Sequence, residues 1–195
     1  MNRTRLYPLL APLLLLVAAC GINSVPAAEE EAKARWADVQ NDYQRRADLI
    51  PNLVATVRAA AAQERNVLRE VTEARASASR ITVTGEQLTD PAAMARFAEA
   101  QGRLTISLQR LQEAYPELRT NENFLTLQSQ IEGTENRVSR SRERYNQAVQ
   151  NYNTTIRTFP SVIGARVVHG AQPMVPFQAE PQSQQAPRVD FGNSG

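Results

Sequence analysis

Residues 91–115 read PAAMARFAEAQGRLTISLQRLQEAY, and this stretch decides the fold. Met94, Phe97, Gln101, Leu104, Leu108, Leu111 and Tyr115 recur at alternating spacings of three and four. That is the period of one face of an α-helix, in the heptad form that packs against other helices. Asp90 supplies a capping oxygen before Pro91, a residue suited to the first helical position, and Pro116 ends the run.

The same reading extends in both directions. Downstream, Asn121 or Asn123 caps a helix over 122–158 whose series is Phe124, Leu127, Ile131, Thr134, Val138, Ser141, Tyr145, Val149, Tyr152, Ile156 and Phe159. Thr134 and Ser141 make its seam small and partly polar near the middle. Tyr145-Asn146 and Tyr152-Asn153 fall seven apart on one face. Two readings stand for these tyrosines: core residues with satisfied hydroxyls, or an aromatic stripe for a partner. Upstream, residues 81–89 read as a loop after a helix over 51–79, with the stripe Leu53, Val54, Val57, Leu68 and Val71. A first helix carries Ala32, Trp36, Val39 and Tyr43, with Glu29, Glu30 and Glu31 in its first turn, where acids favour the helix dipole. Pro51 removes one backbone donor and crowds the Ala47 carbonyl, so it stops or kinks that helix. Four helices with short connections predict an all-α fold, an antiparallel four-helix bundle of the up-and-down type over 28–163. Residues 164–195 contain Pro173, Pro176, Pro181 and Pro187 and read as an extended or disordered tail. Its clusters Val167-Val168, Met174-Val175-Pro176-Phe177 and Val189-Asp190-Phe191 leave docking as the alternative.

Composition excludes several functions. The 195 residues include one Cys and one His, too few for a disulfide framework or a zinc site, and no cofactor or metal is expected. His169 has no nearby nucleophile to serve. Removing Arg3 and Arg5 with a leader takes the 22 basic residues to 20, against 20 acidic. A near-neutral chain gives no bulk attraction to nucleic acid.

The N-terminus indicates location. Arg3 and Arg5 precede an apolar run from Leu6 to Ala19, which at 1.5 Å per residue reaches about 21 Å, short of the ~30 Å hydrocarbon core. Residues 1–19 therefore read as a cleaved signal peptide. Val17-Ala18-Ala19-Cys20-Gly21 resembles the bacterial lipobox, which implies lipidation of Cys20, a tether over 20–27 and a membrane anchor facing the periplasm. Gly21 in place of Asp favours the outer membrane.

The stretch from Tyr43 to Val54, YQRRADLIPNLV, resembles the signature of the LemA family. Further blocks agree in order: Leu111 to Pro116, Thr134 to Arg137, Arg144-Tyr145-Asn146, Tyr152-Asn153, Phe159-Pro160 and Pro187 to Phe191. The resemblance implies a membrane-anchored helical bundle held outside the cytoplasm, with no established catalytic activity. A magnetosome membrane protein among the relatives points to membrane organisation. Many members keep a full transmembrane helix, whereas here the apolar run ends at Cys20. Two polar sets are candidate sites. Arg45, Arg46, Asp48 and Asn52 form a partner-contact or helix-break cluster, with Arg46 as a bidentate donor to a protein partner. Glu135, Asn136 and Arg137 are candidates for interhelical polar contacts. Three roles follow: a scaffold or interaction module, a self-assembling membrane-organising protein with an exposed apolar patch, or a carboxylate-based enzyme using Asp48 and Glu135. The first accords best with these residues.

Overall fold

The computed structural model describes residues 23–60 and 65–178. The expected signal peptide over 1–19, Cys20, and the tail beyond Gln178 with its Val189-Asp190-Phe191 cluster lie outside the described residues. Four long helices follow one another: α1 (Ser24–Ala60), α2 (Arg65–Arg80), α3 (Pro91–Ala114) and α4 (Glu122–Thr155). A short α5 (Ser161–Gly164) runs into a π-helical turn, Ala165–His169, closed by Gly170 in the left-handed conformation at φ 56°. No strand occurs among the described residues.

The caps form as the sequence predicts. Asp90 Oδ1 accepts from Ala92 N at 2.8 Å, and Asn121 Oδ1 accepts from Phe124 N at 3.1 Å. The loop before α3 is more ordered than its residues suggest. Residues 85–89 form a 3₁₀ turn with a capping box between Thr84 and Gln87, and Val83 and Leu88 are buried. Both Trp36 Nε1 and Gln40 Nε2 donate to the Val83 carbonyl.

Contacts fix an up-down-up-down order. The start of α1 meets α5, just past the end of α4, through Ser24 and Ser161. Arg75 of α2 reaches back to Ala47, Arg110 of α3 reaches Glu70 of α2, and Arg46 of α1 reaches both Thr105 and Glu135. The result is an all-α bundle of antiparallel neighbours.

Three expectations are corrected. First, Pro51 neither stops the first helix nor separates two helices. It lies inside the continuous, 37-residue α1. The Ala47 carbonyl that Pro51 cannot serve accepts instead from Arg75 Nε, at 2.8 Å. A side chain from the next helix replaces the missing backbone donor, so the helix passes through. Arg45, Arg46, Asp48 and Asn52 are therefore not a helix-break cluster. Second, Glu29, Glu30 and Glu31 are not in the first turn, because α1 begins at Ser24. They pair along the helix instead, with Lys33 and Arg35. Third, the tail is not free throughout: residues 171–178 run extended along the bundle, with Met174 and Phe177 buried.

Apolar side chains form two clusters. One gathers Trp36, Phe97, Val138, Tyr145, Tyr152 and Phe177 toward the start of α1. The other gathers Ile50, Val57, Leu104, Leu108, Leu111, Phe124 and Ile131 toward the far end. Between them lies a polar layer: Arg46, Gln101 and Thr134 are all buried.

Candidate functional site

The layer centres on Arg46, whose residue is 1% exposed. Its side chain leaves α1 between Tyr43 and Ile50 and meets two other helices. Nη1 donates to Thr105 Oγ1 at 2.9 Å and to Glu135 Oε1. Nη2 donates to Gln101 Oε1 at 2.8 Å and, more weakly, to the Gln101 carbonyl at 3.3 Å. The guanidinium carbon sits 5.0 Å from the Tyr43 ring centroid. Only Nε is left without a hydrogen bond. A planar fork with several donors suits this three-helix junction in a way that an ammonium does not. Glu135 keeps its carboxylate partly in water, with 37% of its side chain exposed.

The arrangement overturns one expectation and bears on another. Arg46 is no partner contact, because nothing outside the bundle can reach it. Glu135 does make an interhelical contact, to Arg46. Asn136 and Arg137, the following residues, are exposed. Asp48 and Asn52 are exposed too, and Asp48 accepts only from Gln44 of its own helix. Asp48 lies two residues past Arg46, about 200° round α1 at 100° per residue, so Asp48 and Glu135 do not converge.

Arg45 and Arg137, from the two candidate sets, line the same open groove. It runs between α1 and α4, has a volume of ≈ 360 Å³, and is also lined by Asp38, Asp42, Arg140 and Arg144. Arg137, Arg140 and Arg144 share one face of α4 by their spacing of three and four. None of the four arginines has an ion pair among the described residues, while Asp38 is engaged by Arg35.

A second built feature was not foreseen from the sequence. The two asparagines that follow Tyr145 and Tyr152 grip the extended segment. Asn146 accepts from Phe177 N at 2.7 Å and donates to Phe177 O at 3.0 Å. Asn153 does the same at Met174, at 2.9 and 2.8 Å. Tyr145 Oη donates to Val175 O at 2.8 Å, and Val175 N donates to Leu88 O at 2.8 Å. Pro176 has no N–H to satisfy. The six bonds leave the side chains of Met174 and Phe177 to pack: Phe177 sits near Trp36, Tyr43 and Phe97, with the Arg142 guanidinium 4.1 Å from its ring centroid. Burial pushes the Tyr145 hydroxyl well above its usual range, and burial also raises Tyr43 and, less deeply, Tyr152. The signal in the sequence was the repeat of Asn at a seven-residue spacing, which puts two amides on one face.

The polar layer, the arginine groove and the amide grip all lie within residues 35–191, the span matched by the model of the LemA family. The chain belongs to the LemA family. No curated protein matches it in a sequence search. The LemA match covers the blocks around Tyr43–Val54, Thr134–Arg137 and Tyr152-Asn153, which contribute Arg46 and Glu135 to the layer, Arg45 and Arg137 to the groove and Asn153 to the grip. No described helix is long and apolar enough to cross a membrane.

Proposed function

We propose that this LemA protein is a membrane-anchored interaction module: a helical bundle lipidated at Cys20, held on the periplasmic side, that binds a protein partner through the α1–α4 arginine groove. The observation that carries the reading is the groove's unspent charge. Elsewhere on the bundle, Arg69, Arg103 and Arg110 are each matched by a glutamate, while Arg58, Arg80 and Arg96 are exposed without an ion pair among the described residues, so what sets the groove apart is four arginines together. Arg45, Arg137, Arg140 and Arg144 are gathered without one among the described residues, around Asp38 and Asp42. Guanidinium forks in such a groove suit carboxylates on a partner's surface through paired hydrogen bonds. Gly21 after Cys20 favours the outer membrane. The role is not enzymatic on this reading: Asp48 and Glu135, the carboxylates considered for acid–base work, face different sides of the bundle.

The test is a photo-crosslinking amino acid at Asn41, in the groove, in cells expressing the full chain. Parent protein yields a specific adduct. The double variant Arg140→Glu, Arg144→Glu keeps its thermal stability, since both residues are exposed, and loses that adduct. An adduct of unchanged yield in the variant overturns the groove as the contact. For the anchor, Cys20→Ser abolishes labelling by a fatty-acid probe; undiminished labelling overturns lipidation. Self-assembly at the membrane is the second reading, and the exposed apolar tip described next favours membrane contact.

A further inference from the structure

Among the described residues, four of the five large hydrophobic side chains that stand exposed lie at one tip of the bundle. They are Phe159 (74% exposed), Ile163 (57%), Val167 (79%) and Val168 (60%). The fifth, Leu125, is at the start of α4, about 45 Å along the helix from its end at 1.5 Å per residue. Phe159 lies in the turn that leads into α5, Ile163 within α5, and Val167 and Val168 in the π turn that follows. A cluster of this kind is not needed for the fold, since Ala165 and Ile156 already close the core there. Concentrated apolar exposure on a small domain marks a contact surface.

The position of the tip says what it contacts. Ser24 Oγ donates to Ser161 Oγ, tying the start of α1 to α5. Ser24 is four residues after Cys20, a reach of at most about 14 Å at 3.6 Å per residue. Arg157 and Arg166 are exposed at the same tip without an ion pair among the described residues. The nearest acids on α1 are paired within their own helix, Glu29 and Glu30 sharing Lys33 and Glu31 pairing with Arg35, which offsets most but not all of their charge. Apolar side chains flanked by arginines are the composition of a surface that settles into the headgroup and acyl boundary of an anionic bilayer.

We infer that this tip is a second membrane contact, a lipid-facing surface that seats Phe159, Ile163, Val167 and Val168 in the bilayer interface beside the acyl chains on Cys20. The inference rests on the lipidated anchor proposed above. With two attachments, the bundle is held at a fixed orientation that one attachment at Cys20 does not impose. The arginine groove is then presented at a set height above the membrane.

The full acylated chain is reconstituted into vesicles of phosphatidylethanolamine and phosphatidylglycerol, with and without brominated acyl chains. Trp36 is buried and gives the background emission. Separate variants place a second tryptophan at the tip, as Val167→Trp or Ile163→Trp, or at the far end, as Leu125→Trp. Expected is a blue shift of the tip tryptophans on vesicles and a loss of their emission with brominated lipid, with Leu125→Trp unchanged. Flotation reads the anchor separately. A chain that floats while both tip variants stay unquenched overturns the tip contact and leaves the anchor standing. A chain that fails to float overturns the anchor and the tip contact together. Emission that follows the surface density of protein, and not bromine, assigns the tip to a second copy and overturns the inference.

Discussion

Replacing Arg46 by methionine isolates what the polar layer contributes. Methionine keeps most of the stem volume and removes every guanidinium donor. Gln101 Oε1 then loses its partner in a site where the residue is 7% exposed, and an unsatisfied buried amide oxygen costs about 1–3 kcal/mol. Glu135 loses an ion pair, but 37% of its side chain is in water, so this part adds at most about 1 kcal/mol. Against these, the substitution removes the unpartnered Nε, a gain of about 1 kcal/mol. The net is a destabilisation of about 0–3 kcal/mol, centred near ~1.5 kcal/mol, which is ~3–6 °C in Tm for a chain of this size. Urea unfolding followed by circular dichroism measures it, with the slope unchanged from the parent. The double variant Arg46→Met, Gln101→Leu removes donor and acceptor together and recovers most of the loss, because an apolar pair of similar shape leaves nothing unsatisfied. Arg46→Lys keeps the charge but not the fork, and falls between parent and Arg46→Met. A single Arg46→Met variant more stable than the parent, or a double variant that simply adds two losses, would refute the assignment of Arg46 as the hub of a satisfied network.

Three further outcomes are expected. Tyr145, Tyr43 and Tyr152 have hydroxyls raised by burial, so the folded state holds protons that the unfolded chain releases above pH ~10; stability present below that pH declines as it rises, and Tyr145→Phe makes the decline in alkaline melting shallower, while a slope identical to the parent's counts against the buried tyrosine. Asn146→Ala with Asn153→Ala removes four hydrogen bonds to the extended segment, at about 0.5–1.5 kcal/mol each; limited proteolysis then cuts near Met174 faster than in the parent, and equal cutting rates would show that the amides do not hold it. Arg75→Ala costs about 1–3 kcal/mol by leaving the Ala47 carbonyl bare, and far less in a Pro51→Ala background where the helix regains its own donor; a cycle with no coupling between the two sites rejects the substitution of side chain for backbone.

How legible each part was depended on whether its cause is local. In α3 the positions Met94, Phe97, Leu104, Leu108, Leu111 and Tyr115 are all buried, as their spacing predicts, because helical period is a short-range property. Gln101 stood out as the polar member of that series, yet its partner is 55 residues away and has no periodic signature. Pro51 misled for the same reason: the rule that proline ends helices concerns one missing bond, and Arg75, 28 residues beyond the Ala47 carbonyl, restores it. Thr134 and Ser141 looked weak for a seam. They bond back to the carbonyls of Ile131 and Val138, and Thr134 lies where the two apolar clusters part. Docking of Met174 and Phe177 stood only as the alternative to a free tail, because Pro173 and Pro176 argue against helix and do not decide whether extended chain is free or held. What captures it are Asn146 and Asn153, which read as ordinary polar positions until the extended segment is beside them.

The division of the core by the Arg46 layer has a consequence for how the molecule comes apart. Apolar packing is what makes unfolding all-or-none, and here it is interrupted once along the long axis. The half nearer the start of α1 is clasped by the 171–178 segment, while the other half relies on α2 and the turn before α4. The two halves are joined by three helices, by Ile81, which packs against both, and by the hydrogen bonds at Arg46; the prediction is that each half opens with its own free energy, which hydrogen exchange measures. The far half is able to loosen and reclose while the clasped half stays shut. Arg46 is therefore a fuse as much as a fastener: where it sits sets how far a local opening travels before it stops.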